Sequence, residues 1–159
     1  HSDDEDEDDD LSAVWTELCG DWEFEDVEDN SVLFCGDTLF RLGCGRVFEG
    51  TLNEMFNSLK KINELDKNTI IYCGHEYTIS NLNFLEKTLK KESAYLTVRK
   101  KINDDLNSKG KSVPFLLEDE KQYNLFLNQN SKLGTIIKKE LGFTDFELFA
   151  YLRKAKDSF

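Results

Sequence analysis

The sequence lacks several features that would assign a protein class at once. It contains two histidines and one proline in 159 residues, and none of its four cysteines forms a C-x-x-C pair. This spacing predicts neither a disulfide framework nor a paired-cysteine metal site, and it favours a reducing compartment such as the cytoplasm. No apolar run approaches the roughly 18 residues of a membrane-spanning segment, and the chain opens on charged residues instead of an apolar signal sequence. We expect no membrane association.

The sequence also lacks an excess of positive charge, because 32 acidic residues outnumber 20 lysines and arginines. The formal net charge is −12, so we expect no nucleic-acid partner of the kind bound by neutralising phosphates. Much of the acidity lies in DDEDEDDD at 3–10, and a run of like charges repels itself and stays solvated. A calcium loop is the sharper alternative, but the run has no turn glycine and no alternating ligand spacing. Residues 1–30 are therefore predicted to be an acidic, largely disordered segment or insertion.

Residues 31–77 carry the pattern of an α/β unit. SVLFCGD at 31–37 and TIIYC at 69–73 are short apolar runs that predict buried strands. Between them, Thr51 and Glu54 fit a helix capping box. The apolar residues that follow recur with a helical period: Leu52, Met55, Phe56, Leu59, Ile62 and Leu65.

Residues 78–159 show helical patterns and no convincing strand. An apolar stripe from Tyr95 to Leu106 ends at Gly110, and Thr144 with Glu147 fits a second capping box. The predicted architecture is thus an α/β part followed by a helical subdomain.

Two residues are candidates for chemistry: Asp37 and His75 each follow a predicted strand and a glycine. Strand ends on one edge of a sheet can bring such residues into a single cleft, where they could serve as metal ligands or as a base with its orienting partner. The alternatives are ordinary ones, namely a turn or N-cap aspartate and a histidine satisfied by hydrogen bonds. Two ligands alone do not complete a zinc site, which needs at least three from the protein.

A longer pattern narrows these alternatives. FCGDTLFRLGCGRVFEGT at 34–51, YCGHEYTISNLNF at 72–84, VPFLLEDEKQYNLFL at 113–127 and LRKAKDSF at 152–159 together resemble glyoxalase II, the hydroxyacylglutathione hydrolases of the metallo-β-lactamase superfamily. The resemblance implies the second half of an αββα sandwich over 31–77 and a helical, glutathione-substrate-binding domain over 78–159. It also implies a binuclear centre, usually zinc with iron or manganese possible, and hydrolysis of S-D-lactoylglutathione by a metal-activated hydroxide.

The same resemblance implies individual roles. Asp37 matches the aspartate that bridges both metals, and His75 matches a histidine of the second metal. Arg46, Phe48 and Tyr77 match substrate-contacting positions, although the family usually has lysine at the first and tyrosine at the second. Arg153 and Lys156 match a basic R-x-x-K pair that would meet a glutathione carboxylate. The alternative for that pair is a cationic last turn that complements the helix dipole.

The family's H-x-H-x-D-H motif is absent from this sequence. His1 is either a remnant of another metal histidine or part of a tag or a chance start, and both interpretations stay open. Half of such a sandwich would expose an apolar sheet face. We therefore expect a C-terminal portion of a longer enzyme, or a chain that pairs with a separate first half.

The leading functional hypothesis is therefore a glutathione thioester hydrolase. A sulfur dioxygenase of the same superfamily is a rival, but that branch lacks the helical tail ending in R-x-x-K. A degenerate, non-catalytic module that binds glutathione conjugates is a hypothesis of another class, favoured by Phe48 and the missing motif. An acidic scaffold acting through residues 3–10 rests on composition alone.

Overall fold

The structure, a computed structural model, describes residues 23–27, 30–46 and 51–159. The strands of the first part are β1 (Glu23–Val27), β2 (Asn30–Gly36), β3 (Leu39–Phe40), β4 (Gly43–Cys44) and β5 (Ile70–Cys73), with helix α1 (Leu52–Asn63) before β5. The second part contains α2 (Thr78–Leu89), a 3₁₀ turn (Glu92–Tyr95), α3 (Leu96–Lys109), β6 (Phe115–Leu116), α4 (Leu117–Tyr123), α5 (Lys132–Leu141) and α6 (Asp145–Asp157). None of the helices in these ranges is long and apolar enough to cross a membrane.

The main sheet has the strand order β1-β2-β5-β6. Strands β2 and β5 are parallel and are connected through α1, as the βαβ pattern predicted, whereas β1 and β6 pair antiparallel at the two edges. The mixed α/β part followed by helices confirms the coarse fold prediction.

Two strands differ from the sequence prediction. β1 lies inside the segment predicted to be largely disordered, and residues 1–22, 28 and 29 of that segment lie outside the described part of the chain. The acidic composition of this stretch does not predict a strand, because β1 forms through its backbone hydrogen bonds to β2. β6 lies in the part predicted to be free of strands; at two residues it is too short for an alternating pattern and pairs with β5 only in the folded chain.

Both predicted capping sites begin helices. The Thr144 hydroxyl accepts from the Glu147 backbone N–H while the Glu147 carboxylate accepts from the Thr144 backbone N–H, which completes that capping box. The Thr51 hydroxyl accepts from the Glu54 backbone N–H, but the Glu54 carboxylate accepts from the Thr51 hydroxyl instead of the Thr51 backbone N–H. This capping box is therefore only half formed. Each helix begins at the residue after its predicted cap.

The two predicted units share one hydrophobic core. Leu33 and Ile71 on the inner face of the sheet are fully buried in the same cluster as residues of the C-terminal helices. Phe56 of α1 packs against Phe146 and Phe149 of α6, with ring centroids 5.4 Å and 5.5 Å apart. The helical part therefore stabilises the α/β part directly.

The opposite face of the sheet is apolar and partly exposed. Val32, Ile70 and Leu116 form one cross-strand row through their register, and Phe34 and Tyr72 form the next. The last two rings stack with centroids 5.0 Å apart, and Tyr72 and Leu116 keep 40% and 39% of their surface exposed. We call these five residues the outer sheet face.

Candidate active site

The structure brings Asp37 and His75 together. β2 and β5 are parallel neighbours, with Gly36 opposite Cys73 in the register, so the residues after each strand emerge at the same edge. His75 Nε2 lies 3.2 Å from Asp37 Oδ1, and the two side chains are 48% and 75% exposed. The predicted convergence is therefore confirmed as geometry, and the exposure leaves both side chains accessible.

Gly74 makes this approach possible. A Cβ at Gly74 would lie 2.8 Å from Asp37 Oδ1 and 3.3 Å from the carbonyl oxygen of Gly36. The Gly74 N–H donates to that same carbonyl at 2.8 Å, while Gly36 adopts a left-handed φ of +54°. The glycine before each candidate residue thus serves a different need, a left-handed backbone at one and close approach at the other.

Tyr77 lies beside the pair. Its ring stacks on the His75 imidazole with centroids 4.8 Å apart and planes 9° apart, and 47% of its surface is exposed. Phe40, which is 6% exposed, lies edge-on to both rings at 5.9 Å from His75 and 5.1 Å from Tyr77. We call Asp37, His75 and Tyr77 the rim.

Glu76, which the sequence analysis did not single out, fixes the segment that carries the rim residues. Its carboxylate accepts from the backbone N–H of Ser112, from the Ser112 hydroxyl at 2.7 Å and from the Val113 N–H at 2.9 Å. Because Glu76 lies between His75 and Tyr77, these bonds tie both to the loop that follows α3. No local pattern signals this role, since the partners are 36 and 37 residues away.

Lys156 and Arg46 form part of a positive cluster. The Lys156 ammonium lies over the rings of Phe84 and Phe159, at 5.5 Å and 5.2 Å from their centroids, and 3.5 Å from the Ser80 hydroxyl. Partial burial lowers the pKa of Lys156, and the neighbouring charges of Arg153 and Arg46 lower it further. Such a concentration of positive charge suits a carboxylate ligand.

Arg46 itself remains largely open to solvent. Its side chain is 62% exposed, and its Nε lies 3.9 Å from Asp157 Oδ1. An ion pair that long and that exposed contributes little to stability, so Arg46 is available to a ligand.

Arg153 differs from both, because two of its three guanidinium nitrogens are bonded within the protein. The residue is 3% exposed, and its Nη1 donates to the carbonyls of Cys44 at 2.8 Å and Gly45 at 3.0 Å. Its Nη2 donates to Asp157 at 3.0 Å. The structure therefore places Arg153 as a support for the backbone at Cys44 and Gly45, and neither the substrate contact implied by the resemblance nor the helix-dipole alternative accounts for these bonds.

A buried carboxyl group behind the site was also missed by sequence reasoning. Glu120 is 1% exposed, and burial raises its pKa to about 7, although the Leu42 N–H and the Asn124 amide lower it in part. In the sequence, Glu120 is one of three acidic residues in the first turn of α4. Nothing in that pattern distinguishes it from a solvated helix residue.

The described residues do not complete a metal centre. No group of three or more His, Cys, Asp and Glu side chains suited to a metal ion occurs in the described ranges. Asp37 and His75 have the oxygen and nitrogen donors that zinc accepts, but they are two where at least three are required. Two predicted site residues, His1 and Phe48, lie outside the described residues.

Comparison with known proteins agrees with the earlier resemblance. Residues 76–159 match the family model "Hydroxyacylglutathione hydrolase C-terminus". Among curated proteins, the hydroxyacylglutathione hydrolase of Cronobacter sakazakii is 43% identical over 129 residues, and that of Serratia proteamaculans is 44% identical over 133 residues. Each alignment covers 80% of this chain and 51% of the relative.

The matched family model covers more than half of the sequence. The chain therefore belongs to the hydroxyacylglutathione hydrolase family and corresponds to its C-terminal part. It spans about half the length of the curated relatives that it matches.

Proposed function

We propose that this chain supplies the second half of a thioester hydrolase site that converts S-(2-hydroxyacyl)glutathione, such as S-D-lactoylglutathione, to the hydroxy acid and glutathione. The observation that supports this most is the approach of His75 to Asp37, at 3.2 Å, in a chain of the hydroxyacylglutathione hydrolase family. We further propose a cytoplasmic location, because glutathione keeps cysteine thiols reduced in that compartment.

The proposal includes a binuclear metal centre, with zinc as the first candidate and iron or manganese as alternatives. Asp37 and His75 would contribute two of its ligands, and the other ligands must come from outside the described residues. A metal of this kind, when bound, lowers the pKa of a coordinated water so that hydroxide is available near neutral pH. Asp37 would hold the metal centre through its carboxylate oxygens, and His75 would hold it through an imidazole nitrogen.

The chain's own residues would bind the glutathione portion. Glutathione carries carboxylates, for which Arg46 and Lys156 offer positive groups. Arg46 follows Gly45, whose N–H donates to the carbonyl of Thr38, the residue after Asp37, and Lys156 lies 3.5 Å from the Ser80 hydroxyl in the first turn of α2. The exposed face of the Tyr77 ring, held by its stack on His75, can contact the acyl or thioester portion. Arg153 takes part indirectly, because it holds the loop that carries Arg46.

The outer sheet face supports the proposal that a further portion is needed. Its five apolar residues form two cross-strand rows, whereas an ordinary surface seldom presents so continuous an apolar patch. We propose that the portion corresponding to the first half of the longer relatives packs here, either in the same polypeptide or as a separate chain. This packing would set the missing ligands opposite Asp37 and His75.

Reconstitution tests the proposal. The chain is mixed or co-expressed with the portion of the Serratia proteamaculans relative that precedes the matched region, zinc is added, and loss of the thioester absorbance of S-D-lactoylglutathione is followed. We expect hydrolysis from the mixture, none from either part alone, and none with Asp37→Asn or His75→Gln. Turnover by the isolated chain, or equal activity of both variants, would contradict the proposed role of the pair.

A matched pair of lysine variants tests substrate recognition in the same mixture. Lys156→Met should raise KM about 10-fold, because a charged hydrogen bond contributes roughly 1.5 kcal/mol. Lys154→Met, on the exposed side of the same helix, should leave KM unchanged. Equal KM values for the two variants would remove Lys156 from the proposed site.

A non-catalytic glutathione-conjugate binder is the second candidate, because the accessible positive groups and Tyr77 all belong to this chain. Isothermal titration of the isolated chain with S-D-lactoylglutathione distinguishes the two. Binding that is abolished by Lys156→Met, together with no activity in any reconstituted mixture, would favour the binder.

A further inference from the structure

The backbone from Phe40 to Gly45, which includes the turn that joins β3 to β4, is held by side chains from distant parts of the chain. Asn81 of α2 donates to the Arg41 carbonyl at 3.0 Å, and Arg153 of α6 donates to those of Cys44 and Gly45. Glu120 of α4 and Asn124, the residue after that helix, bond the backbone between these points. We call Asn81, Glu120, Asn124 and Arg153 the polar clamp; all four are at least 96% buried.

Glu120 and Asn124 act as one unit within the clamp. Glu120 Oε2 accepts from the Leu42 N–H at 2.8 Å and from Asn124 Nδ2 at 2.9 Å. Asn124 Nδ2 also donates to the carbonyls of Gly43 at 3.1 Å and Phe40 at 3.3 Å. The two side chains thereby bond backbone groups on both sides of the turn.

Leu42 shows why the turn requires such support. Its φ is +63°, a left-handed conformation that costs a residue with a Cβ about 1–2 kcal/mol. Such a conformation persists only where the surroundings impose it. The bond from the Leu42 N–H to the buried Glu120 carboxyl is one such constraint.

Phe40 connects this turn to the rim. Its backbone carbonyl is bonded by Asn124 on one side, while its ring lies edge-on to His75 and Tyr77 on the other. A shift of the turn would therefore move the aromatic surface against which the His75–Tyr77 stack rests.

We propose that Glu120 and Asn124 are positioning residues, which hold the backbone from Phe40 to Gly43 so that the Phe40 ring sets the orientation of His75 and Tyr77. The importance of this for thioester hydrolysis rests on the proposed function, whereas the positioning itself does not. Neither residue reaches the rim directly, so each acts only through the turn.

Nuclear magnetic resonance of the full chain provides the test. The chain has two histidines, so the His75 imidazole signals are identified by their loss in His75→Gln. In Glu120→Leu and Asn124→Leu we expect His75 ring shifts at a fixed pH and loss of most cross-relaxation between the Phe40 ring and the His75 and Tyr77 rings. Glu120→Gln keeps an acceptor oxygen at the same place and should retain the wild-type spectrum.

Ile137→Ala is the matched control, since Ile137 is 2% exposed in α5 and its loss also destabilises the core. It should leave the His75 signals in place under conditions where every variant is folded. The proposal would be overturned if the rim signals stayed unchanged in both leucine variants. It would also be overturned if the rim signals moved as far in Ile137→Ala, or were lost to the same extent in Glu120→Gln, as in the leucine variants.

A second measurement covers variants that fail to fold. Phe40→Leu keeps an apolar side chain but removes the ring, and it should reproduce the His75 shift on its own; an unchanged His75 would overturn the proposal. If the spectra behave as expected and reconstituted hydrolysis is absent, the positioning role stands and the proposed function fails.

Discussion

The rim and the polar clamp lie on either side of one short turn, and they differ in almost every physical property. About half or more of each rim side chain is exposed. The clamp side chains, in contrast, are buried and donate hydrogen bonds to, or accept them from, buried backbone groups. The rim therefore offers reactive groups to a ligand, and the clamp determines where those groups stand. Substitutions in the clamp should change stability most, and those in the rim should change it least.

The largest expected effect is that of Arg153→Met. This change leaves the buried carbonyls of Cys44 and Gly45 without their donor, and each unsatisfied group costs about 1–3 kcal/mol. We expect the free energy of unfolding, measured by urea denaturation, to fall by about 3 kcal/mol. Lys154→Met on the same helix should stay within about 0.5 kcal/mol of wild type. If the two variants unfolded at the same urea concentration, the bonds from Arg153 to the Cys44 and Gly45 carbonyls would not contribute to stability.

The next effect is a pH dependence that originates in Glu120. Burial raises its pKa from 4.5 to about 7 in the folded chain, so between these values the native state holds a proton that the unfolded state has released. The free energy of unfolding should therefore fall as pH rises through this window, by on the order of 3 kcal/mol.

Urea denaturation of wild type and Glu120→Gln across that window isolates this contribution. The glutamine has no proton to lose, so the difference between the two curves should grow with pH. Asp145 titrates at lower pH, because its bonds with Lys138 and Asn130 lower its pKa despite its partial burial, and it is common to both proteins. Parallel curves for wild type and Glu120→Gln would show that Glu120 does not titrate in this range.

A smaller effect is expected for Gly74→Ala. The new Cβ would lie 2.8 Å from Asp37 Oδ1, so the carboxylate must shift, which changes its contact with His75. Overpacking of this kind costs roughly 1–3 kcal/mol, and the lower end applies because the Asp37 side chain is exposed and can yield. Urea denaturation measures the cost, and the His75 ring signals report the displacement.

Gly110→Ala is the reference for this variant. Gly110 has open space around it but a φ of +73°, so its substitution costs about 1 kcal/mol through the backbone alone. The His75 signals should move in Gly74→Ala and stay in place in Gly110→Ala. Movement in neither would mean that Gly74 does not control the approach of Asp37.

The smallest effects on stability are expected in the rim itself. Asp37→Asn and His75→Gln remove exposed groups without leaving a buried partner, so each should change the free energy of unfolding by less than about 0.5 kcal/mol. The same two variants should abolish activity in the reconstituted enzyme. A loss of stability as large as that of Arg153→Met would erase the distinction between rim and clamp.

Local patterns predicted much of the fold. The cap residues Thr51 and Thr144 and the glycine stop at Gly110 mark helix ends through bonds that span only a few residues, and such signals are visible in any short stretch of sequence. β1 and β6 were missed because their pairing depends on strands elsewhere in the chain. The convergence of Asp37 and His75 was predictable because parallel strands end at a common edge.

The clamp could not be predicted in this way. Glu120, Asn124 and Arg153 bond backbone groups that are between 78 and 109 residues away, and in the sequence each resembles an ordinary helix residue. Arg153 shows the difficulty most clearly, since its motif suggests a ligand contact and its burial shows a structural one.

The sequence by itself determined the family, the order of β2, α1 and β5 with a helical part after them, and the pair of residues available for chemistry, because these follow from local spacing and motif. Only the tertiary structure decided which polar side chains are free and which are committed to the backbone. That division depends on burial, and burial arises when segments far apart in the chain pack against one another.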